Sequence, residues 1–250
     1  MTYIEGFVAA VPQANKEIYR QHAIKAAPMF EGATRMVEGW GNDVPKGKVT
    51  DFQGAVQAKD DEDVVFSWIE YPDKATRDAA NEKMMNDPQI AEKMGEMPFD
   101  GKRMIFGGFK PLVEEGTERG GYVDGFLVPV PEGKVDAYKE VAAQAAKVFL
   151  EYGALRDVEA VGDDVPEGKV TDFYRAVKAE PGEKVFFSFI EWPDKATRDE
   201  GWKKVMEDER MKNMSDMPFD GQRMIWAGFQ PIVDTATQQT SQAQRTSEPA

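Results

Sequence analysis

The chain has no cysteine and a single histidine, His22. Without cysteine there are no disulfides, no thiolate nucleophile and no thiolate metal ligands, which suits a reducing compartment. One histidine without cysteine leaves zinc short of its usual ligands. Positive charge is scarce too. Thirty-one Lys and Arg against 45 Asp and Glu give a net charge of -14. A phosphate-backbone binder needs clustered Lys and Arg, so this balance argues against nucleic acid as a partner. Long apolar runs are missing: none approaches the ~18 residues of a membrane span. The start, Met1-Thr2-Tyr3-Ile4-Glu5, lacks the basic and apolar regions of a signal peptide. The expectation is a soluble, cytoplasmic protein that engages neither nucleic acid nor membrane and carries no metal or other cofactor.

What is present is a sequence written twice. Met97-Pro-Phe-Asp-Gly-Lys-Arg-Met-Ile105 returns as Met217-Pro-Phe-Asp-Gly-Gln-Arg-Met-Ile225. Tyr3-Ile-Glu-Gly-Phe7 matches Tyr122-Val-Asp-Gly-Phe126. Asp43-Val-Pro-Lys-Gly-Lys-Val-Thr-Asp-Phe52 matches Asp164-Val-Pro-Glu-Gly-Lys-Val-Thr-Asp-Phe173. Phe66-Ser-Trp-Ile-Glu-Tyr-Pro-Asp-Lys-Ala-Thr-Arg-Asp78 matches Phe187-Ser-Phe-Ile-Glu-Trp-Pro-Asp-Lys-Ala-Thr-Arg-Asp199. The period is too long for a solenoid, so two copies imply a pseudo-symmetric pair. The expected layout is a first unit over 1–113, a linker over 114–121, a second unit over 122–234 and a disordered polar tail over 235–250.

Within a copy, residues 3–11 alternate as a strand does. Residues 15–30 carry apolar side chains at helical spacing. Residues 34–40 read as a second strand, and 50–58 with 64–71 as a hairpin around an acidic turn. Asp73 is placed to cap a helix running to about Asn86. Residues 102–109 read as the last strand. The order, β-α-β-(β)-β-α-β, predicts an α+β fold of ferredoxin-like units, with helices on one sheet face and the partner unit on the other.

The four repeated motifs together resemble the YbaA-like family of uncharacterised bacterial proteins. The resemblance covers residues 3–112 and 122–233. It implies the dimeric α/β-barrel superfamily, in which two ferredoxin-like units pair sheet to sheet. Members are usually single units, so two fused copies imply an intrachain barrel, with further oligomerisation left open. The resemblance supplies no activity and no catalytic residues.

Strand alternation nominates a pocket. Glu5 and Phe7 share a face with Tyr3, and Asp124 and Phe126 repeat that pattern. Phe66, Trp68 and Glu70 share a face on the return strand, repeated by Phe187, Phe189 and Glu191. If these faces line the barrel, aromatic walls and few carboxylates give pocket composition. Arg103 and Arg223 are the nominated counter-charges, with Arg35 and Arg156 as alternatives. The expected function is binding of a small, partly aromatic molecule in or beside the barrel. A cofactor-independent oxygenase or isomerase using a carboxylate base is the second reading. A structural or interaction protein with a fully packed barrel is the third. An interface salt bridge explains the same carboxylates without any ligand. His22 corresponds to Val141 in the other copy, which favours an ordinary core-edge residue over a symmetric catalytic one.

Overall fold

The alternation of residues 3–12 produces β1 (Tyr3–Pro12), and Pro12 ends it. In this computed structural model, which describes residues 2–214 and 217–236, the first copy continues with α1 (Lys16–Ala26), β2 (Arg35–Asp43) and α2 (Phe52–Ala55). It is completed by β3 (Glu62–Tyr71), α3 (Lys74–Asn86), α4 (Pro88–Met94) and β4 (Ile105–Gly116). The second copy repeats the order as β5 (Tyr122–Pro131), α5 (Val135–Glu151), β6 (Arg156–Asp164) and α6 (Phe173–Ala176). It ends with β7 (Glu183–Trp192), α7 (Lys195–Glu207), α8 (Glu209–Lys212) and β8 (Ile225–Asp234).

The eight strands close into one antiparallel barrel in the order β1-β3-β2-β8-β5-β7-β6-β4. Each ferredoxin-like half contributes four neighbouring strands. Two seams join the halves, β2 with β8 and β4 with β6, so no edge of the barrel sheet is left unpaired. The inner face is set by the even positions of β1. Ile4 and Val8 point inward and are fully buried, while Tyr3, Glu5 and Phe7 point to the helices. The interior is filled by rings from both copies. Phe66 stacks on Phe187 at 4.3 Å, and Trp68 on Phe189 at 4.2 Å. Gly6 is what allows this approach, since a Cβ there would lie 2.7 Å from the Phe187 ring.

Residues 50–58 depart from the expected strand. Asp51 accepts from the Gly54 N–H at 2.6 Å and caps the short helix α2. Phe52 drops into the barrel core, 5.4 Å from Phe229 and edge-on to it. The copy at Asp172 and Phe173 does the same, and the two short helices are stitched crosswise. Thr50 donates to the Ala176 carbonyl at 2.6 Å and Thr171 to the Ala55 carbonyl at 2.7 Å. A local cap and a buried ring therefore won over strand propensity, and α2 and α6 plug one mouth of the barrel.

Two boundaries also move. β4 runs to Gly116 and pairs with β6 through Glu114, Glu115 and Gly116, leaving 117–121 as the connection between halves. The Met36 N–H donates to the Thr235 hydroxyl at 2.9 Å, so the chain stays engaged past Asp234. The rest of the expected tail, 237–250, lies outside the described residues. No helix among the described residues is long and apolar enough to cross a membrane.

Candidate functional site

The structure distributes the sequence-nominated residues over four places. Glu70 and Glu191 lie inside the barrel at one end. There Arg35 binds Glu191 through both oxygens, at 2.8 and 2.7 Å, and Asp234 at 2.8 Å. Arg156 binds Glu70 at 2.7 Å, Glu191 at 3.3 Å and Glu114 at 2.7 Å. Trp68 and Phe189 stack beneath this lattice. The guanidinium groups of Arg35 and Arg156 lie 5.6 Å from those two rings. The carboxylates here are matched by arginines from both copies, so the ion lattice locks the two halves together.

Glu5 and Asp124 face the other way. The odd positions of β1 and the corresponding positions of β5 point to the helices, so these acids never meet Glu70 or Glu191. Glu5 accepts from Arg77 at 3.1 Å and Asn81 at 2.6 Å, and Arg77 reaches across the seam to Asp164 at 2.6 Å. Asp124 accepts from Arg198, Trp192 and Trp202, and Arg198 reaches back to Asp43 at 3.1 Å. Burial pushes both carboxyls upward, against the pull of the arginine beside each.

Arg103 and Arg223 also depart from expectation. They lie near the start of β3 and β7 in their own halves, away from the nominated carboxylates. Arg103 clamps Glu62 with two 2.7 Å bonds, caps the Gln57 carbonyl at 2.9 Å and holds Asp100 at 3.1 Å. Gln57 adopts a φ of 50°, and the arginine fixes that turn. The Arg103 bond holds the Glu62 carboxyl down to about 2. Arg223 repeats the clamp on Glu183 and the Lys178 carbonyl. The Met-Pro-Phe-Asp-Gly motif is thus a turn pinned to a strand.

Phe7, another nominated residue, leads to an apolar site. It lines a cavity of about 240 Å³ between α1, α4 and the outer face of the first-half sheet. Five methionines share the wall, Met36, Met84, Met94, Met97 and Met104. Phe30 and Phe99 complete the apolar lining. Such a surface is soft, polarisable and adaptable. Four polar side chains face this lining: Tyr19, His22, Glu38 and Ser67.

Glu38 is the centre of that group. Met36 and Glu38 are the helix-facing positions of β2, and Ser67 lies directly opposite Glu38 on β3. The Tyr19 hydroxyl, one helix away, donates to Glu38 Oε2 at 2.6 Å, and the Ser67 hydroxyl donates to the same oxygen. Oε1 makes no hydrogen bond among the described residues. Burial pushes the Glu38 carboxyl up, and the two hydroxyl bonds only partly offset it. Among the described residues no arginine or lysine is bonded to it. That separates Glu38 from the lattice and clamp carboxylates. His22 projects from the same helix as Tyr19. Its Nε2 is buried without a partner among the described residues, and burial with the nearby Lys25 lowers its basicity.

The second copy keeps the triad but changes its surroundings. Tyr138 donates to Glu159 at 2.7 Å and Ser188 to the same oxygen. Asp157 replaces Met36 and is buried, with Oδ1 unpartnered among the described residues and its carboxyl pushed well above the usual range by burial, then by Glu159 and Glu115. Val205 replaces Met84, and Trp202 replaces Asn81 and packs 4.9 Å from Phe149.

Glu38, Tyr19 and Ser67 were not nominated from the sequence. A signal was available: a glutamate at the same strand position in both copies, Glu38 in Val37-Glu-Gly-Trp40 and Glu159 in Val158-Glu-Ala-Val161. Among the described residues no group of three or more His, Cys, Asp or Glu is placed to hold a metal ion.

Comparison with known proteins gives the same symmetry. The chain is similar to the uncharacterized protein YbaA of Escherichia coli (strain K12), 60% identical over 117 residues. Those residues are 46% of this chain and 100% of that protein. The Shigella flexneri YbaA matches at the same identity and coverage, 60% over 117 residues. Among solved structures, one named a putative monooxygenase from Lactobacillus acidophilus NCFM superposes with a TM-score of 0.55 at 11% identity, covering 94% of this chain and 96% of that one. An anthrone oxidase-like protein gives 0.55 at 11%, covering 93% and 92%. At such identity the likeness is one of fold: a barrel of two ferredoxin-like halves. The sequence profile of a protein family of unknown function, DUF1428, matches residues 2–101 and again 121–221, so the chain belongs to the DUF1428 family as two fused copies.

Proposed function

We propose that the protein binds a small, mostly apolar molecule beside the barrel, in the first-half cavity, through a hydrogen-bond donor on the molecule that meets Glu38 Oε1. One observation carries this reading. Glu38 lines an apolar cavity with no counter-charge bonded to it among the described residues, while both neighbouring hydroxyls are spent on Oε2. A carboxylate oxygen at an apolar wall has an acceptor site open toward the cavity, and a ligand hydroxyl supplies the missing donor. The barrel interior, the other location nominated from the sequence, is filled by stacked rings, which favours the site outside it. Thioether and phenyl walls suit a flat aromatic body. The test is calorimetry with 1-naphthol and naphthalene. Naphthol is expected to bind roughly tenfold tighter, in line with one hydrogen bond to a charged acceptor. Glu38→Gln is expected to erase most of that difference. Equal binding of both probes, or naphthol binding unchanged in Glu38→Gln, overturns the reading.

A second reading is favoured by the direction of the Glu38 shift. A carboxylate raised by desolvation is a better proton acceptor, as oxygenase and isomerase chemistry without a cofactor requires. The two structural neighbours described above, one of them named a putative monooxygenase, are compatible with this reading through their fold alone. 2-Tetralone in deuterium oxide tests it. Exchange of its acidic C–H protons above the buffer rate, lost in Glu38→Gln, supports a base. Exchange at the buffer rate excludes proton abstraction from this probe.

A further inference from the structure

The first-half cavity holds a second polar group that Glu38 does not use. His22 Nε2 is buried, lines the same apolar wall and has no hydrogen-bond partner among the described residues. An imidazole nitrogen left unpaired in such a wall costs free energy that packing alone does not return. Val141 takes its place in the second copy, and an aliphatic side chain serves α5 without difficulty. A residue needed only for packing would have no reason to carry a polar atom into this wall. Tyr19 and Ser67 do not relieve it, because both hydroxyls donate to Glu38. The other titratable groups facing the cavity are Glu38 and Tyr19, and Lys25 lies on the same helix as His22.

We infer that His22 is a second ligand anchor, so the molecule bound here carries two polar groups on one apolar body, one for Glu38 and one for His22 Nε2, and is taken up by the first half alone. This rests on the binding reading above and narrows it to a class, bifunctional aromatics of two-ring size. The second half lacks the anchor at Val141. It also replaces Met36 with the buried acid Asp157 and Met84 with Val205, which changes the space in front of Glu159. The halves have the same fold and unequal sites.

His22 is the only histidine in the chain, so in a tag-free protein its ring signals are assigned by counting. The experiment titrates the protein with 1-naphthol and with the 1,5-, 2,6- and 2,7-naphthalenediols. It follows affinity by calorimetry and the histidine ring by proton and nitrogen NMR. At least one diol is expected to bind roughly three- to tenfold tighter than 1-naphthol, the gain of one further hydrogen bond. That diol shifts the His22 nitrogen signal and its titration midpoint, and the gain disappears in His22→Val while 1-naphthol binding persists. His22→Gln, which keeps a polar end group, is expected to recover part of the gain. If 1-naphthol binds through Glu38 but no diol gains, or the gain survives His22→Val, the second anchor is wrong and the site stands. If neither naphthol nor any diol binds, both fail.

Discussion

At the residue scale, the informative contrast is between carboxylates with and without arginine partners. Glu62, Glu70 and Glu183 are held below their ordinary range. For Glu62 and Glu183 the arginine bond dominates; for Glu70 burial opposes, and arginine bonds together outweigh it. Glu38 is raised by burial, with two hydroxyls for company. The sign follows by linkage. Stability from the lowered group is present above the ordinary carboxyl value of 4.5 and lost as pH falls through its own value. The raised Glu38 works oppositely, with its full contribution below 4.5, lost as pH rises through its higher value. Ligand binding through an ionised Glu38 therefore strengthens as pH rises through that higher value. A calorimetric pH series with 1-naphthol is expected to show one rise with a midpoint above 4.5, absent in Glu38→Gln. Burial, with Lys25 nearby, lowers the His22 value, so its ring stays neutral to lower pH than an ordinary imidazole does. The sequence displayed these side chains without displaying which face each takes. Glu5 and Glu70 looked like one site because strand alternation gives two faces and no rule for choosing between them. Gly6 decided it: the ring of Phe187 from the other copy needs that space, which turns Glu5 outward.

At the scale of elements, the short helix α2 shows how a local cap redirects a segment. Residues 50–58 are rich enough in apolar types to read as a strand. Asp51 instead bonds the N–H groups of Gly54 and Gly47, at 2.6 and 3.0 Å, and Phe52 is buried as the plug of the barrel mouth. Asp51→Ala is expected to cost about 1 kcal/mol of stability by denaturant unfolding, the usual loss for an N-cap. Asp51→Asn, which keeps an acceptor, is expected to recover most of it; an unchanged Asp51→Ala midpoint would remove the cap from the explanation. α1 and α5 make the same point at larger size. Pro28 lacks the N–H to continue α1, which ends at Ala26, whereas Lys147 stands in its place and α5 runs to Glu151. The residues around Phe30 and Phe149 are thereby laid differently over the two sheets. Asp73 and the helix it begins were legible in advance, because the cap, proline and helical spacing all agree there.

At the scale of the whole molecule, the duplication explains why the barrel is closed within one chain. Four strands of each copy supply half the wall, and β2–β8 with β4–β6 close it. This much was legible, because repeated motifs announce two copies and a ferredoxin-like order leaves one sheet face needing cover. The ion lattice of Arg35, Arg156, Glu70 and Glu191 was legible as an interface salt bridge with those arginines as alternative partners, but not in its pairing, since it assembles side chains 35 to 156 positions apart. Cleavage within 117–121 is expected to leave the halves co-eluting as one species of unchanged size under native conditions. Separate folded halves would contradict a shared barrel. The proposed function then rests on the cavity between α1 and the first sheet. A crystal soaked with 4-bromo-1-naphthol reads that location directly through the anomalous signal of bromine. We expect one bromine per chain, between the wall of Met36 and Phe7 and helix α1, with the naphthol oxygen in hydrogen-bond contact with Glu38. A bromine inside the barrel, equal occupancy in the second half, or no bromine in the first-half cavity at a concentration that binds in solution would contradict it.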